Sequence, residues 1–295
     1  MTTAEVEIVR AGPLTTVQDL GRPGYAHLGV GRSGALDRPA HTLANRLVGN
    51  PPHAATLETT LGGVALRALH HGLTIAVCGA IAPIRVDGAS VAWAAPIYLP
   101  PHATLDIGPA SRGLRCYIAV AGGFLPEPVL GSRSTDLLSG LGPDPLQSGD
   151  RLPVNNAALT TRAAPCGADV HPVSAPPHNE IELPVLLGPR PELFDDDAHR
   201  LLTTAGFTVT SQSNRIALRL DGPPLPRSGR DSIPSEGAVL GAIQVPADGR
   251  PIIFLADHPP TGGYPVIGVV PDTALHLAAQ VAPGTRVRFR RTWPH

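Results

Sequence analysis

Four segments of the chain concentrate side chains able to hold an anion or polarise a carbonyl. Residues 15–37 place Gln18, Asp19, Arg22, Tyr25, Arg32, Ser33 and Asp37 among five glycines. Glycine lets backbone N–H groups approach an anionic or amide ligand closely, and long Gly-rich loops with converging polar groups tend to be functional. Gly131-Ser132-Arg133-Ser134-Thr135 adds a guanidinium that can grip a carboxylate with two bonds, flanked by hydroxyls, although the same pentapeptide also reads as an ordinary turn. Residues 241–251 pattern as a β-hairpin with a polar Gln244 facing inward or toward a site. Residues 257–265 then gather an acid (Asp257), a hydroxyl (Thr261), two backbone donors (Gly262 and Gly263) and a phenol (Tyr264) in one loop.

Two strings in the first segment match known motifs and fail on context. Gly29-Val30-Gly31-Arg32-Ser33-Gly34 has the GxGxxG spacing of a dinucleotide site, which requires a buried strand before it and a βαβ unit around it. The pattern predicts neither. Ser33 nearly sits in a nucleophile elbow, but Ala35 stands where that motif needs glycine, and no strand leads into the turn.

The elements that must position these residues are mostly short strands. Apolar alternation between turn signals predicts strands at 64–69, 73–77, 84–86, 91–98, 104–107 and 114–120, and in the second half at 207–210, 216–220, 238–245, 251–256, 266–270 and 286–290. The stripe Ala40, Leu43, Ala44, Leu47, Val48 predicts a helix over 38–48, with Asp37 as cap, Pro39 in the first turn and Gly49-Asn50-Pro51 as stop. A second helix is expected over 191–204. Its Asp195, Asp196 and Asp197 read as acids favoured by the helix dipole rather than as metal ligands. Prolines crowd residues 160–184 too densely for a helix or central strand, marking a linker or exposed excursion. Two β-rich blocks, 1–170 and 171–295, follow.

Composition removes whole classes of chemistry. All 23 of the Lys and Arg residues are arginine. Without lysine the chain cannot build a P-loop, form a Schiff base or carry biotin or lipoate on itself. A net charge of −1 provides no basic field for nucleic acid or anionic lipid. Cys78, Cys116 and Cys166 form no CxxC pair and are expected as reduced thiols. The scattered histidines, with His70-His71 in a turn, offer no zinc spacing, so no metal is expected. An acidic, strand-like N-terminus and the lack of a long apolar run predict a cytoplasmic protein.

Read in order, VQDLGRPGY (17–25), SGALD (33–37), LANRLVGN (43–50), ATLETTLGG (55–63), YIAVAGG (117–123), LGSRST (130–135), SGDRL (148–152), GAIQVPADGRPI (241–252) and TGGYP (261–265) resemble the allophanate hydrolase subunit 2 family. That family includes the KipA-like C subunits of bacterial 5-oxoprolinase and is related to the carboxyltransferase region of urea carboxylase. The resemblance spans about residues 6–289 and implies a mainly β fold of two cyclophilin-like barrels. Two positions depart from the family pattern: Pro260 precedes Thr261 where relatives commonly carry Gln, and Asn214 replaces the Asp of a Ser-Asp-Arg strand entry.

The resemblance further implies one component of an ATP-dependent 5-oxoprolinase, which opens the lactam of 5-oxo-L-proline to L-glutamate together with a KipI-like B subunit and a separate A subunit. ATP is expected as a reactant of the complex. On this basis Asp19, Glu58 and Asp257 are the candidate catalytic acids. Gln18, Arg22, Arg133, Ser134, Arg215, Gln244, Thr261, Gly262, Gly263 and Tyr264 are the candidate substrate contacts. Two alternatives stand beside it: a biotin-dependent carboxyltransferase-like subunit, and a KipA-type regulator that binds a kinase inhibitor.

Overall fold

The computed structural model describes residues 4–155, 176, 179–228 and 233–293. The chain is mainly β and divides into two compact units. The first comprises residues 1–22, 37–136 and 140–176; the second comprises 23–36, 137–139 and 177–295.

In the first unit the strands are β1 (Ala4–Arg10), β2 (Leu14–Gln18), β3 (Thr56–Thr60), β4 (Ala65–Ala68), β5 (Leu73–Ile81), β6 (Ile84–Val86), β7 (Ala89–Ser90), β8 (Ile97–Leu99), β9 (Thr104–Ile107), β10 (Arg112–Val120) and β11 (Arg151–Val154). They form a six-stranded sheet in the order β11-β1-β4-β9-β6-β7 and a five-stranded sheet in the order β2-β3-β10-β5-β8. One apolar core joins the inner faces of both, with Val6, Ile8, Leu66 and Leu105 from the first sheet and Val17, Leu57, Ile75 and Ile118 from the second. The alternation that predicts these strands is the alternation that fills this core. Helix α1 (Arg38–Leu47) packs on β5 and β10. Asp37 caps it by accepting from the Ala40 N–H at 3.0 Å, and a proline occupies its first turn, as the sequence predicts.

The second unit contains β12 (Glu180–Leu187), β13 (Gly206–Val209), β14 (Ala217–Asp221), β15 (Glu236–Gly237), β16 (Ala242–Gln244), β17 (Ile252–Phe254), β18 (Thr261–Gly262), β19 (Val266–Val269) and β20 (Arg286–Arg291). Seven of these close into a barrel, β12-β19-β16-β17-β14-β13-β20, and among the described residues β15 pairs only with β18. Period-2 patterning is clear in β20: Val287 and Phe289 point into the core, where Phe289 meets Phe207 edge-on, while Arg288 and Arg290 pair outside with Glu180 and Glu182 at 2.8 and 2.6 Å. Helix α2 (Asp196–Thr204) buries Ala198 and Leu202, and the short α3 (Leu275–Ala279) buries Leu275, Ala278 and Ala279.

Three expectations need correction. Residues 91–96 are not strand: Ala94 adopts a left-handed φ of 52°, and only β8 remains of the predicted 91–98 element. The predicted 238–245 strand is reduced to β16, because Gly241 has a φ of 81° and its α-carbon lies against the Val270 carbonyl. The proline-dense stretch ends in β12, a barrel strand containing Pro184. It pairs in parallel with β20 through Val185, whereas among the described residues its ladder with β19 runs through Leu186 and Leu187. At Pro184, therefore, β12 has a ladder on one side only, where a residue without an N–H is tolerated. The rest of that stretch, residues 156–175 and 177–178, lies outside the described residues, as does Cys166.

The predicted 191–204 helix is a 3-10 turn (Pro191–Leu193) followed by α2. Asp196 and Asp197 occupy the first turn of α2, Asp197 pairing with Arg200 at 3.0 Å. Among the described residues no helix is long and apolar enough to cross a membrane.

Candidate functional sites in the two units

The polar residues singled out by the sequence assemble into separate centres. In the first unit β2 ends at Gln18, and the next residue, Asp19, is held by the turn at 131–135. Ser132 and Ser134 Oγ donate to Asp19 Oδ1 at 2.7 and 2.6 Å, and the Gly21 N–H donates at 2.8 Å. The Arg133 N–H donates to Oδ2 at 2.6 Å, while the Asp19 N–H donates to Ser134 Oγ at 2.9 Å. This buried carboxylate is thus engaged by four donors, and its charge strengthens each bond. Arg22, also buried, donates to the Ser134 and Val129 carbonyls and lies 3.9 Å from Asp136. The Gln18 amide donates to the Thr135 carbonyl at 3.0 Å and to Thr16 Oγ1 at 3.1 Å. Gln18, Asp19, Arg22, Arg133 and Ser134 therefore do come together around the 131–135 turn.

Glu58 occupies β3, opposite Thr16 on β2, and belongs to a second network. Tyr117 Oη donates to Glu58 Oε2 at 2.8 Å and accepts from the Asp37 N–H at 2.7 Å; Arg115 Nε lies 3.5 Å from Glu58 Oε1. Burial, with the neighbouring Glu58 and Asp37 charges, holds the Tyr117 phenol well above its ordinary pKa. His41 on α1 contacts Thr56 Oγ1 and the Pro52 carbonyl at 2.9 Å each, and burial lowers its pKa. Tyr117, Arg115 and His41 were not singled out by the sequence; Tyr117 alone lies in a quoted motif, the YIAVAGG string, which reads equally well as core strand.

In the second unit Arg215 and Asp257 form a forked ion pair with both side chains almost wholly buried. Arg215 Nε and Nη2 donate to Asp257 Oδ2 and Oδ1 at 2.9 and 3.0 Å, and Nη2 also donates to the Gly34 carbonyl at 2.8 Å. Asp257 further accepts from Ser33 Oγ at 2.7 Å and the Leu137 N–H at 3.2 Å. Ser33, with a left-handed φ of 51°, is thus a ligand of this carboxylate. The Gly29–Gly34 string follows a 3-10 turn (Ala26–Leu28) and precedes α1 by three residues, so it is not the strand–turn–helix that cradles a dinucleotide.

The TGGYP loop lies apart from that ion pair in its chemistry. Gln244 is buried and donates to the Tyr264 carbonyl at 3.2 Å. Gly262 packs against the Gln244 amide so closely that a Cβ would lie 2.5 Å from Nε2. Thr261 is exposed, and Tyr264 is 43% exposed. Among the described residues no group of His, Cys, Asp or Glu is arranged to hold a metal ion. Cys78 and Cys116 are buried, free thiols.

Comparison with known proteins gives a consistent pattern. Residues 28–291 match the family model for the carboxyltransferase domain, subdomain A and B. The chain is 35% identical to the C subunit of 5-oxoprolinase from Escherichia coli (strain K12), over 96% of this chain and 90% of that protein. It is 34% identical to the urea amidolyase of Lachancea kluyveri over 96% of its own length but only 17% of that protein. Among solved structures it superposes on the K. lactis urea amidolyase with a TM-score of 0.88 at 30% identity, covering 98% of this chain and 19% of that one. On TTHA0988 the TM-score is 0.84 at 34% identity, and the chain spans 56% of that structure.

Proposed function

Because the chain belongs to the family of carboxyltransferase domains with subdomains A and B, we propose that it is the C-type component of a multi-subunit 5-oxoprolinase. That complex would hydrolyse 5-oxo-L-proline to L-glutamate at the expense of ATP. The observation that carries this is the 35% identity to an E. coli protein bearing that name, over 90% of its length.

Opening a lactam needs water to add at the carbonyl carbon, the C–N bond to break and the nitrogen to gain a proton. The carbonyl oxygen gathers negative charge on the way, so fixed donors aimed at it lower the barrier. The side chains and backbone we assign to that role are Thr261, Gly262, Gly263 and Tyr264, in one loop of the second unit; Arg133, in the first unit, is kept as a separate candidate anion holder. Asp19, Glu58 and Asp257 are engaged by donors in their own units and are assigned to positioning: Asp19 fixes the 131–135 turn, and Asp257 fixes the segments around Ser33 and Arg215. Arg22, Gln18 and Ser134 hold the 131–135 turn and Asp19, Gln244 holds the Tyr264 carbonyl, and Arg215 holds Asp257 and the Gly34 carbonyl.

ATP enters as a reactant that supplies free energy. This chain has no lysine, and the described residues hold no strand–turn–helix phosphate cradle, so the nucleotide is assigned to a partner protein. The partners are the A and B subunits of the same enzyme. Reconstitution of the three proteins should release glutamate from 5-oxoproline only when ATP and this chain are both present; an assembled, folded complex without that activity overturns the proposal.

The family description and the likeness to urea amidolyase favour a second reading, transfer of a carboxyl group from biotin. Lacking lysine, this chain would take the biotin from a carrier on another protein. Carboxylation of urea by the chain with a biotin carboxylase and carrier would establish it.

A further inference from the structure

Between the segment that follows β13, strand β14 and the connection from β16 to β17 lies a cleft of about 470 Å³, lined among others by Thr210, Arg219, Asp221, Asp248, Arg250 and Tyr264. Its size falls in the range of small-molecule sites. Two of its four charges cancel locally: Arg250 Nε pairs with Asp221 Oδ1 at 3.1 Å. The Arg250 N–H also donates to Asp248 Oδ1 at 3.1 Å, which fixes that carboxylate on the rim.

The other groups are available. Arg219, exposed on β14 and lining the cleft, makes no ion pair with the described residues. Asp248 also makes no ion pair there. Thr210 Oγ1 is buried with no hydrogen-bond partner among the described residues. A buried hydroxyl without a partner is costly and marks a place where a ligand atom or water belongs. Tyr264 brings its half-exposed phenol from the TGGYP loop.

A guanidinium and a carboxylate without ion pairs among the described residues, a buried hydroxyl and a phenol match a ligand with its own carboxylate, N–H donor and oxygen. We propose that this cleft binds a small amino-acid-derived acid: Arg219 holds the carboxylate, Asp248 accepts the N–H, and Thr210 and Tyr264 contact the remaining oxygen. A planar guanidinium suits two-bond capture of a carboxylate better than any other side chain. Neither Arg219 nor Thr210 belongs to the motifs singled out in the sequence, and Asp248 lies in the 241–252 motif without having been assigned a role there. The choice of 5-oxoproline as first probe rests on the proposed function; the chemistry of the cleft does not.

The test is calorimetric titration of 5-oxo-L-proline, L-glutamate and 2-pyrrolidinone into the chain and into its complex with the A and B subunits. At least one of the two acids should bind saturably, and 2-pyrrolidinone, lacking the carboxylate, much more weakly. Arg219→Ala should weaken the acid by at least about tenfold, Asp248→Asn should weaken it too, and the outer-face control Arg288→Ala should leave it unchanged. Saturable binding of neither acid to chain or complex, or binding indifferent to Arg219→Ala, overturns the site. Wild-type turnover of 5-oxoproline by a complex carrying Arg219→Ala would retain the proposed function and remove this cleft from it. Arg219-dependent binding in a complex without turnover would do the reverse.

Discussion

Arg215→Ala should destabilise the protein far more than the loss of any surface arginine. The Arg215 and Asp257 side chains are 1% and 0% exposed, and the arginine supplies two of the four donors to that carboxylate. Truncation leaves Asp257 buried with only Ser33 Oγ and the Leu137 N–H, and removes the donor to the Gly34 carbonyl. Breaking a buried pair from one side typically costs about 3–5 kcal/mol. With a urea m-value of roughly 2–3 kcal/mol/M, the midpoint should fall by about 1–2.5 M. Arg288→Ala is the internal comparison, because its pair with Glu180 has a similar N–O distance, 2.8 Å, but side chains 52% and 45% exposed. An exposed pair contributes about 0.2–1 kcal/mol, so that midpoint should move by no more than about 0.5 M. Raising salt should erode the Arg288 effect and spare the Arg215 effect. The double variant Arg215→Ala/Asp257→Ala should lose less than the two single losses added, since no charge is then left buried alone. Equal shifts for Arg215→Ala and Arg288→Ala, measured by circular dichroism in urea, would refute the claim that burial makes this ion pair a positioning device.

Three other outcomes follow from the same networks. The folded pKa of His41 lies below the unfolded one, so the unfolded chain takes up that proton first. Stability should fall as pH drops below about 6.5, by up to ~1.4 kcal/mol per pH unit, and His41→Asn should remove that part of the slope. Cys78 and Cys116 are pushed up from 9.0 to about 12 by burial, so the folded chain keeps those protons longer; stability should decline as pH rises between these values, and in a Cys166→Ser background neither thiol should react with a disulfide reagent until the protein unfolds. Gly262→Ala should displace the Gln244 amide from the Tyr264 carbonyl; enzyme assays of the reconstituted complex should show lost turnover with a melting temperature within a few degrees of wild type.

The parts of the fold legible in the sequence were those with a local cause. Helix α1 carried its own cap, proline and stop, and β6 and β9 were bounded by turn signals on both sides. Strand β12 was hidden because Pro184 argues against a central strand, and only tertiary pairing reveals where the ladder spares it. The candidate residues were legible as types, since acids, arginines and hydroxyls crowd Gly-rich loops. Their grouping was not. Nothing in residues 15–37 indicates that Asp19 is clasped by Ser132 and Ser134, more than a hundred residues away, or that Ser33 binds Asp257. Pairings over such separations are set by sheet register. Arg219 escaped notice for the opposite reason: an outward arginine on a barrel strand has no sequence feature to distinguish it from Arg288 or Arg290.

The most direct measurement is glutamate release by the reconstituted three-protein complex, run with 5-oxoproline and with urea plus bicarbonate, with ATP present or withheld and this chain present or omitted. The expected result is ATP-dependent glutamate release that vanishes when the chain is left out, and no consumption of urea. An intact complex that leaves 5-oxoproline unchanged, or turns it over equally well without this chain, would contradict it.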